Sequence, residues 1–364
     1  MKKQSPEVNR IYVCHTYYHV LVSVLKELTP GSGLTGDASI ILSKMSNDFE
    51  TLGERLKKSG IFKDVFEFDE KRDTFFPELA KYKEDKGNIA FNMINRIIYT
   101  KKFAKLEAPY VPVDMRQYDG IYVFCDSDPI GTYLNQNRIR YHALEDGLDF
   151  LTLFIKAKHD NRTCFAIKKF FSLKLNLIFI CDGYSKYCID MEVNNVAGLD
   201  DDFYKYKEVS RKKLLESLDE EGRKKLIEIF IRDMDTLREF IKNDKRHGIL
   251  ILTEPLCTLD VRERIFRDLT SEYSKEGMVF LKPHPRDELD YNKLFSDYYI
   301  FDRTIPMELL GLVDGLHFKK VVSVYTPLEL VNFVDEKVSL GNDFMDKYED
   351  PSVHNHLKID RSNE

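Results

Sequence analysis

The chain has 364 residues, 43% of them apolar and 32% charged, which excludes global disorder and is ample for two domains of ordinary size. Its 55 basic and 61 acidic side chains leave a net charge of −6, which argues against a nucleic-acid binder. The longest apolar stretches, such as residues 121–125 and 177–181, are far too short to cross a bilayer.

In chain order, Arg10–Cys14 is predicted as a first strand, His15 to His19 as a loop, and residues 20–28 as a helix that Pro30-Gly31 ends. Residues 38–42 give a second strand, 47–59 a helix closed by Gly60, and 63–68 a third strand. Residues 120–125 are apolar and rich in β-formers, as in a strand covered on both faces. Another strand at 140–144 ends at Glu145-Asp146-Gly147. From 200 to 246 charge is dense, and Leu214, Leu218, Leu226, Leu237 and Ile241 recur at helical spacing, predicting two amphipathic helices. A second alternating series follows, with strands at 248–253, 278–282, 299–301 and 320–323 and helices at 259–273, 307–312 and 327–334.

This alternation predicts α/β lobes with parallel sheets: a first lobe at 1–204, a helical connector at 205–246, and a second lobe with a C-terminal tail at 247–364. A bilobal enzyme of this kind places its site in a central cleft, beyond the carboxyl ends of the strands. The polar residues directly after strands are therefore the candidates.

In Glu145-Asp146-Gly147 the glycine permits a sharp turn and a carboxylate can serve as general base, although an Asp-Gly turn explains the same residues. In Lys282-Pro283-His284-Pro285-Arg286 two prolines hold a histidine rigidly between cations. That setting suits a hydrogen bond or a proton given to a phosphate leaving group, and equally a loop that merely ends a strand. Ser323, Tyr325 and Thr326 precede a predicted helix, offering hydroxyls and free N–H groups to a phosphate or simply capping the helix. Thr304 and Glu308 open another helix, where the carboxylate suits ribose hydroxyls or the helix dipole.

Asp126 and Asp128 form a D-x-D pair that can hold Mg²⁺ or Mn²⁺ on a diphosphate; loop and capping roles are preferred, and no metal is expected. Thr16, with His15, Tyr17, Tyr18 and His19, lines a sugar site or packs as an aromatic cluster, and lacks the glycines of a dinucleotide fingerprint. Between 156 and 171, Lys156, Lys158, Arg162, Lys168 and Lys169 alternate with Phe165, Phe170 and Phe171. Such a patch suits an anionic membrane surface, an anionic substrate or plain solvation. The first ten residues lack the apolar core of a signal peptide, and six scattered cysteines contain no CxxC pair. The expectation is a cytoplasmic protein with reduced thiols, peripheral at most to the inner face of the membrane.

Taken in order, Glu145-Asp146-Gly147, then Lys282-Pro283-His284-Pro285, then Ser323 to Thr326 resemble the motifs of bacterial sialyltransferases of GT-B architecture. Within that group the set is similar to glycosyltransferase family 52, the lipooligosaccharide and capsule sialyltransferases, with polysialyltransferases as relatives. Thr304 to Glu308 looks like the family's nucleotide-contacting segment, and the resemblance runs from residue 10 to about 334. It implies two Rossmann-like lobes facing a cleft, CMP-N-acetylneuraminic acid as donor, a terminal sugar hydroxyl (often galactose) as acceptor, inversion, and neither metal nor cofactor. It further implies Asp146 as base beside Glu145 and Gly147, and His284 as acid. Lys282, Ser323 and Thr326 would share the phosphate charge, with Pro285, Arg286, Thr304, Glu308, Tyr325 and Thr16 around the substrates. A base shortly upstream of the His-Pro pair would instead be Asp260. Three rival readings are another GT-B transferase with a different nucleotide sugar, an inert nucleotide- or sugar-binding protein, and a capsule-assembly scaffold on the membrane. A homodimer is a candidate assembly.

Overall fold

The apolar, β-branched runs become the central strands of two parallel sheets in a computed structural model. It describes residues 9–29, 36–45, 48–147, 150–199, 202–232, 234–244, 248–326, 328 and 331–354. The chain divides into two compact units, one up to Ile229 and one from Phe230.

The first unit is built on β1 (Arg10–Cys14), β2 (Ser39–Ser43), β3 (Asp64–Phe68), β4 (Gly120–Phe124), β5 (Tyr141–Leu144), β6 (Cys188–Val193) and β7 (Tyr206–Glu208). They lie in the order β3-β2-β1-β4-β5-β6-β7, each neighbouring pair parallel. All residues of β1, β2 and β5 are buried, as expected of strands covered on both faces. The connections carry α1 (Tyr17–Leu28), α2 (Leu52–Ser59), α3 (Ile89–Glu107), α4 (Pro129–Gln136) and α5 (Phe165–Leu173). Gly60 ends α2 in the left-handed region, at φ 69°. Ile130 and Leu134 of α4 pack on Ile11, Ile121, Val123 and Ala143 of the sheet.

Helices α6 (Arg211–Glu216), α7 (Glu220–Phe230) and α8 (Met234–Asp244) follow. The second unit contains β8 (Ile249–Leu252), α9 (Leu259–Tyr273), β9 (Val279–Lys282), β10 (Tyr299–Ile300), β11 (Phe318–Ser323) and β12 (Val334–Ser339). Its sheet order is β10-β9-β8-β11-β12, again parallel at every pair.

Several expectations are corrected. Three helices rather than two follow β7, because Ser217 closes α6 and the Asp219 side chain accepts the Gly222 N–H at 2.7 Å to open α7. Tyr206–Glu208, read as the start of the connector, is an edge strand of the first sheet. β6 escaped notice because its buried Glu192 breaks the apolar pattern; Lys26 Nζ lies 2.5 Å from that carboxylate. Residues 331–333 are not helical and Val334 opens β12, an edge strand whose Asp335, Glu336 and Lys337 are exposed. Met307–Leu312 is a 3₁₀ rather than an α-helix. Residues 1–8, Pro30-Gly31, Asn47, Asp200, Pro327, Glu329, Leu330 and the tail from 355 lie outside the described residues. Among the described residues, no helix is long and apolar enough to cross a membrane.

Candidate active site

Parallel pairing brings the carboxyl ends of β1 to β5 to one edge of the first sheet, and polar residues follow most of them. Asp146, two residues after β5, keeps its side chain 44% exposed, and its Oδ1 lies 2.7 Å from His19 Nε2. The backbone N–H of His15 donates to His19 Nδ1 at 3.0 Å, so the ring proton sits on Nε2 and is donated to Asp146. His19 itself is fully buried and stacked on Phe124, with ring centroids 4.4 Å apart and planes 9° apart. Burial lowers its pKa and keeps it neutral. Burial opposes ionisation of Asp146 too, but the hydrogen bonds from His19 and the Cys125 thiol, with the charge of His15, outweigh it and bring the carboxyl to about 2. Cys125 stands in the left-handed region at φ 52°, a strained backbone immediately after β4.

Behind this pair lies a second. His15 Nε2 is 2.7 Å from Glu70 Oε2 and 3.5 Å from Asp128 Oδ2. Burial disfavours the charged imidazole, yet Glu70, Asp128 and Asp146 overcome it and raise His15 to about 8. Glu70 also accepts Ser43 Oγ–H at 2.7 Å and the Ile130 N–H at 2.8 Å, joining β2, β3 and the start of α4. Burial pushes Asp128 up to about 6 against the pull of His15.

Glu145 has no free oxygen to offer. Buried, it accepts the Leu151 N–H at 2.8 Å and the Asn194 N–H at 2.7 Å, one on each oxygen, so it braces the β5 tip instead of serving as a base. Gly147 is half-buried beside Asp146. Thr16 caps α1, its hydroxyl accepting the His19 N–H at 3.2 Å, which helps place His19. The D-x-D carboxylates part company. Asp126 turns inward to the Asp182 N–H (2.8 Å) and the Tyr141 hydroxyl (3.1 Å), while Asp128 faces His15. Among the described residues, the groups whose ligand atoms lie within 4.8 Å of one another are His15, His19 and Cys125, and Asp126, Cys181 and Asp182. The imidazoles of the first group are committed to Glu70 and Asp146. In the second, Asp126 and Asp182 hold backbone amides.

In the second unit a cavity of about 750 Å³ opens at the tips of β8, β11 and β12, lined among others by Glu254, Cys257, His284, Tyr325, Thr326 and Asn342. The Arg286 N–H donates to His284 Nδ1 at 3.1 Å, which leaves the proton on Nε2. Burial, then the charges of Arg286 and Lys282, lower the His284 pKa. Its own N–H donates to Thr253 Oγ1 (3.1 Å), and that hydroxyl donates to buried Asp287 (3.2 Å). Asp287 is paired in turn with Arg262 Nη1 at 2.6 Å, and Arg262 donates to the carbonyls of Leu256 and Cys257 on the cavity rim. One buried ion pair therefore fixes both the histidine loop and the rim.

Other predicted residues take bracing roles. Lys282 is buried and donates to the carbonyls of Pro283 (2.9 Å) and Arg303 (3.2 Å); burial lowers its pKa to about 8. The Thr304 N–H and hydroxyl both donate to Asp302 Oδ1, at 2.8 and 2.7 Å. Burial raises the Glu308 pKa against the opposing charge of Lys282. Ser323 Oγ donates to the Thr326 carbonyl at 2.7 Å. The expected phosphate cradle is already filled: the amides of Val324, Tyr325 and Thr326 donate to the buried carboxylate of Glu254, at 3.2, 3.0 and 2.8 Å to Oε1. The Tyr325 hydroxyl donates to Asn342 Oδ1 at 2.8 Å. Pro285 and Arg286 are exposed. Asp260 is exposed in the first turn of α9, where the Thr258 hydroxyl lowers its pKa. A further cavity of about 440 Å³ in the first unit, bordered by Tyr82, Arg96, Tyr99 and Phe179, contains none of the strand-tip residues named above.

Sequence reasoning passed over Glu70, Glu254 and Asp287, and read His19 only as part of a sugar-lining or aromatic cluster. Glu254 was within reach of the same rule, since it stands two residues after β8. The His19–Asp146 partnership spans 127 positions and has no local signature.

The sequence pattern of glycosyltransferase family 52 matches residues 59–331. The chain belongs to that family. The matched region contains Asp146, His284 and Ser323 but begins after His19. An uncharacterized protein of Haemophilus influenzae is 27% identical over 100 residues, 24% of this chain and 32% of that protein, so the match spans about a third of the relative's length. The family 52 chain is also similar to two solved structures. One is an α/β-galactoside α-2,3-sialyltransferase of Photobacterium phosphoreum (TM-score 0.51, 12% identity, 91% of this chain and 90% of that one). The other is a 2,6-sialyltransferase of a Vibrionaceae Photobacterium species, in ternary complex with donor product CMP and acceptor substrate lactose (TM-score 0.53, 10% identity, 90% and 71%). At such identities the likeness speaks to the fold, an α/β architecture of GT-B type with parallel sheets, as the motif resemblance implied.

Proposed function

We propose that this family 52 glycosyltransferase is an inverting sialyltransferase. It moves N-acetylneuraminic acid from CMP-N-acetylneuraminic acid to a terminal sugar hydroxyl, galactose in the first instance, of a bacterial lipooligosaccharide or capsule. The observation that carries this reading is Asp146, an ionised, half-exposed carboxylate at a strand tip, held by the Nε2–H of a buried neutral histidine. The two sialyltransferases of like fold, one with CMP and lactose bound, support the choice of donor and acceptor class.

In this reading the acceptor oxygen attacks the anomeric carbon and its proton passes to Asp146. The bond from that carbon to the phosphate oxygen breaks, and its electron pair leaves with CMP. A single displacement inverts the centre. His284, with its proton on Nε2, donates to the departing phosphate, and pre-placed donors of this kind stabilise developing charge without reorganising. A monophosphate leaving group needs no metal in this scheme, and no cofactor takes part. We place the reaction in the cytoplasm, as part of the same reading.

The test is a screen of CMP-, UDP- and GDP-sugars read as released nucleotide, with and without EDTA. CMP alone should raise the melting temperature, adding about 2.7 kcal/mol at a hundred times its Kd. A shift with UDP or GDP and none with CMP would assign a different donor. Activity lost in EDTA and restored by Mn²⁺ would refute the metal-free scheme.

A further inference from the structure

An aspartate at the N-cap of a helix ordinarily accepts an amide of that helix's first turn. Asp128 occupies the N-cap of α4 in extended backbone, and its side chain caps nothing. Pro129 has no N–H to give, and the next amide, Ile130 N–H, donates to Glu70 Oε1 at 2.8 Å. Glu70 reaches this amide from just beyond β3 and is buried. Burying a carboxylate is costly unless it is well partnered. The fold nevertheless buries one to do what Asp128 could do from where it stands, and the Asp128 carboxylate is left over.

The turn that carries Asp128 is rigid. Its N–H donates to the Cys125 carbonyl at 2.8 Å. Asp126 is anchored inward by the Asp182 N–H and the Tyr141 hydroxyl. A Cβ at Gly131, in the first turn of α4, would stand 1.9 Å from the Asp126 carbonyl oxygen, so only glycine lets the helix start this close to the turn. On this base the Asp128 carboxylate accepts no hydrogen bond among the described residues. His15 Nε2, at 3.5 Å, is beyond reach, and it is held by Glu70 at 2.7 Å. Asp128 also neighbours Asp146. β4 and β5 pair with Phe124 opposite Leu144, on strands about 4.8 Å apart, so the two aspartates follow adjacent strand tips. Both side chains reach solvent, 25% and 44% exposed.

We propose that Asp128 binds the acceptor sugar, its carboxylate accepting the O–H of a ring hydroxyl next to the one that attacks. Two carboxylates on neighbouring tips match two neighbouring hydroxyls of one ring. Asp146 takes the proton of the first, and Asp128 holds the second and so fixes the direction of the attacking oxygen. The substrate class is then narrowed to acceptors whose reacting hydroxyl has a free neighbour. This role rests on the reading of Asp146 as the base in sugar transfer.

The test is a cycle that removes either half of the contact, with methyl β-galactoside and its monodeoxy analogues as acceptors and Asp128→Ala as the variant. The analogue that lacks the attacking hydroxyl gives no product. With the parent, an analogue that lacks the neighbouring hydroxyl should lose roughly 10–100-fold in kcat/KM, as expected for a hydrogen bond to a charged group. Asp128→Ala should lose as much with the complete sugar, chiefly through KM, and almost nothing further with that analogue. A variant that merely distorts the site would lower all acceptors alike and keep the parent's preference. The same cycle run on galactoside affinity, by titration without a donor, separates this role from the choice of donor. Non-additive affinities in a protein that turns over no CMP-sugar would refute the donor and support Asp128 as the acceptor ligand. A parent that treats every analogue alike, additive losses, or a loss confined to kcat would each overturn the proposal, the last by making Asp128 the base.

Discussion

The His15–Glu70 pair ties the stability of the first unit to pH in a direction that follows from the charges. His15 is raised to about 8 in the folded protein, against an ordinary 6.5. The group thus adds stability that is fully present below about pH 6.5 and is lost as pH rises through about 8. The shift corresponds to about 2 kcal/mol, and with the His15 side chain 2% and the Glu70 side chain 0% exposed, solvent screening takes little from it. Glu70 has its pKa lowered, so its contribution is lost only on acidification and stays constant between pH 6 and 9. His15→Gln keeps a hydrogen-bond donor toward Glu70 but cannot titrate. Urea unfolding of parent and variant at pH 6 and at pH 9 reads the histidine together with the carboxylates whose pKa it lowers, Glu70 and Asp128. The stability gap between the two proteins should narrow by about 2 kcal/mol from pH 6 to pH 9. A gap that does not change with pH would mean that His15 is neutral in the fold and that the charge argument is wrong.

Asp146→Asn keeps the shape of the β5 tip and the hydrogen bond from His19, so CMP affinity should survive while kcat falls roughly 10²–10⁴-fold. Asp260→Asn, on an exposed helix turn, should be nearly neutral; if it is the inactive variant, Asp146 is not the base. His284 has its pKa lowered in the free protein by burial and by Arg286 and Lys282, and a phosphate beside Nε2 would favour the charged ring. The His284 pKa followed by NMR should therefore rise when CMP binds, and CMP affinity should increase as pH falls through the raised value. An unchanged His284 titration would detach this residue from the phosphate.

Much of this arrangement was legible because strand tips announce themselves. An apolar run followed at once by polar residues located Asp146 and His284, and the alternation of runs gave the parallel α/β class. Two strands were harder to read, one at a sheet edge and one inside. β12 exposes Asp335, Glu336 and Lys337, and β6 buries Glu192 against Lys26, so neither shows the apolar run that betrayed β1 and β4. Site chemistry that depends on distant partners was invisible. Val324, Tyr325 and Thr326 do form a cluster of amides at a strand tip, but the carboxylate that fills it arrives from Glu254, some 70 positions away. Glu145 looked interchangeable with Asp146, and only the amides of Leu151 and Asn194 distinguish the brace from the candidate base.

The placement of β1 bears on how the protein is made. β1, made before the other described strands of its sheet, is interior to that sheet, paired on one side with β2 and on the other with β4, where Arg10 meets Gly120 across 110 positions. The three strands up to Phe68 can associate early, but the far edge of β1 waits until Phe124 has emerged. At about 5–20 residues per second those 56 residues take roughly 3–11 s, during which a strand built to be covered on both faces offers an open edge to its neighbours. Slow translation between 68 and 124 lengthens that interval and increases the share of nascent chains lost to aggregation.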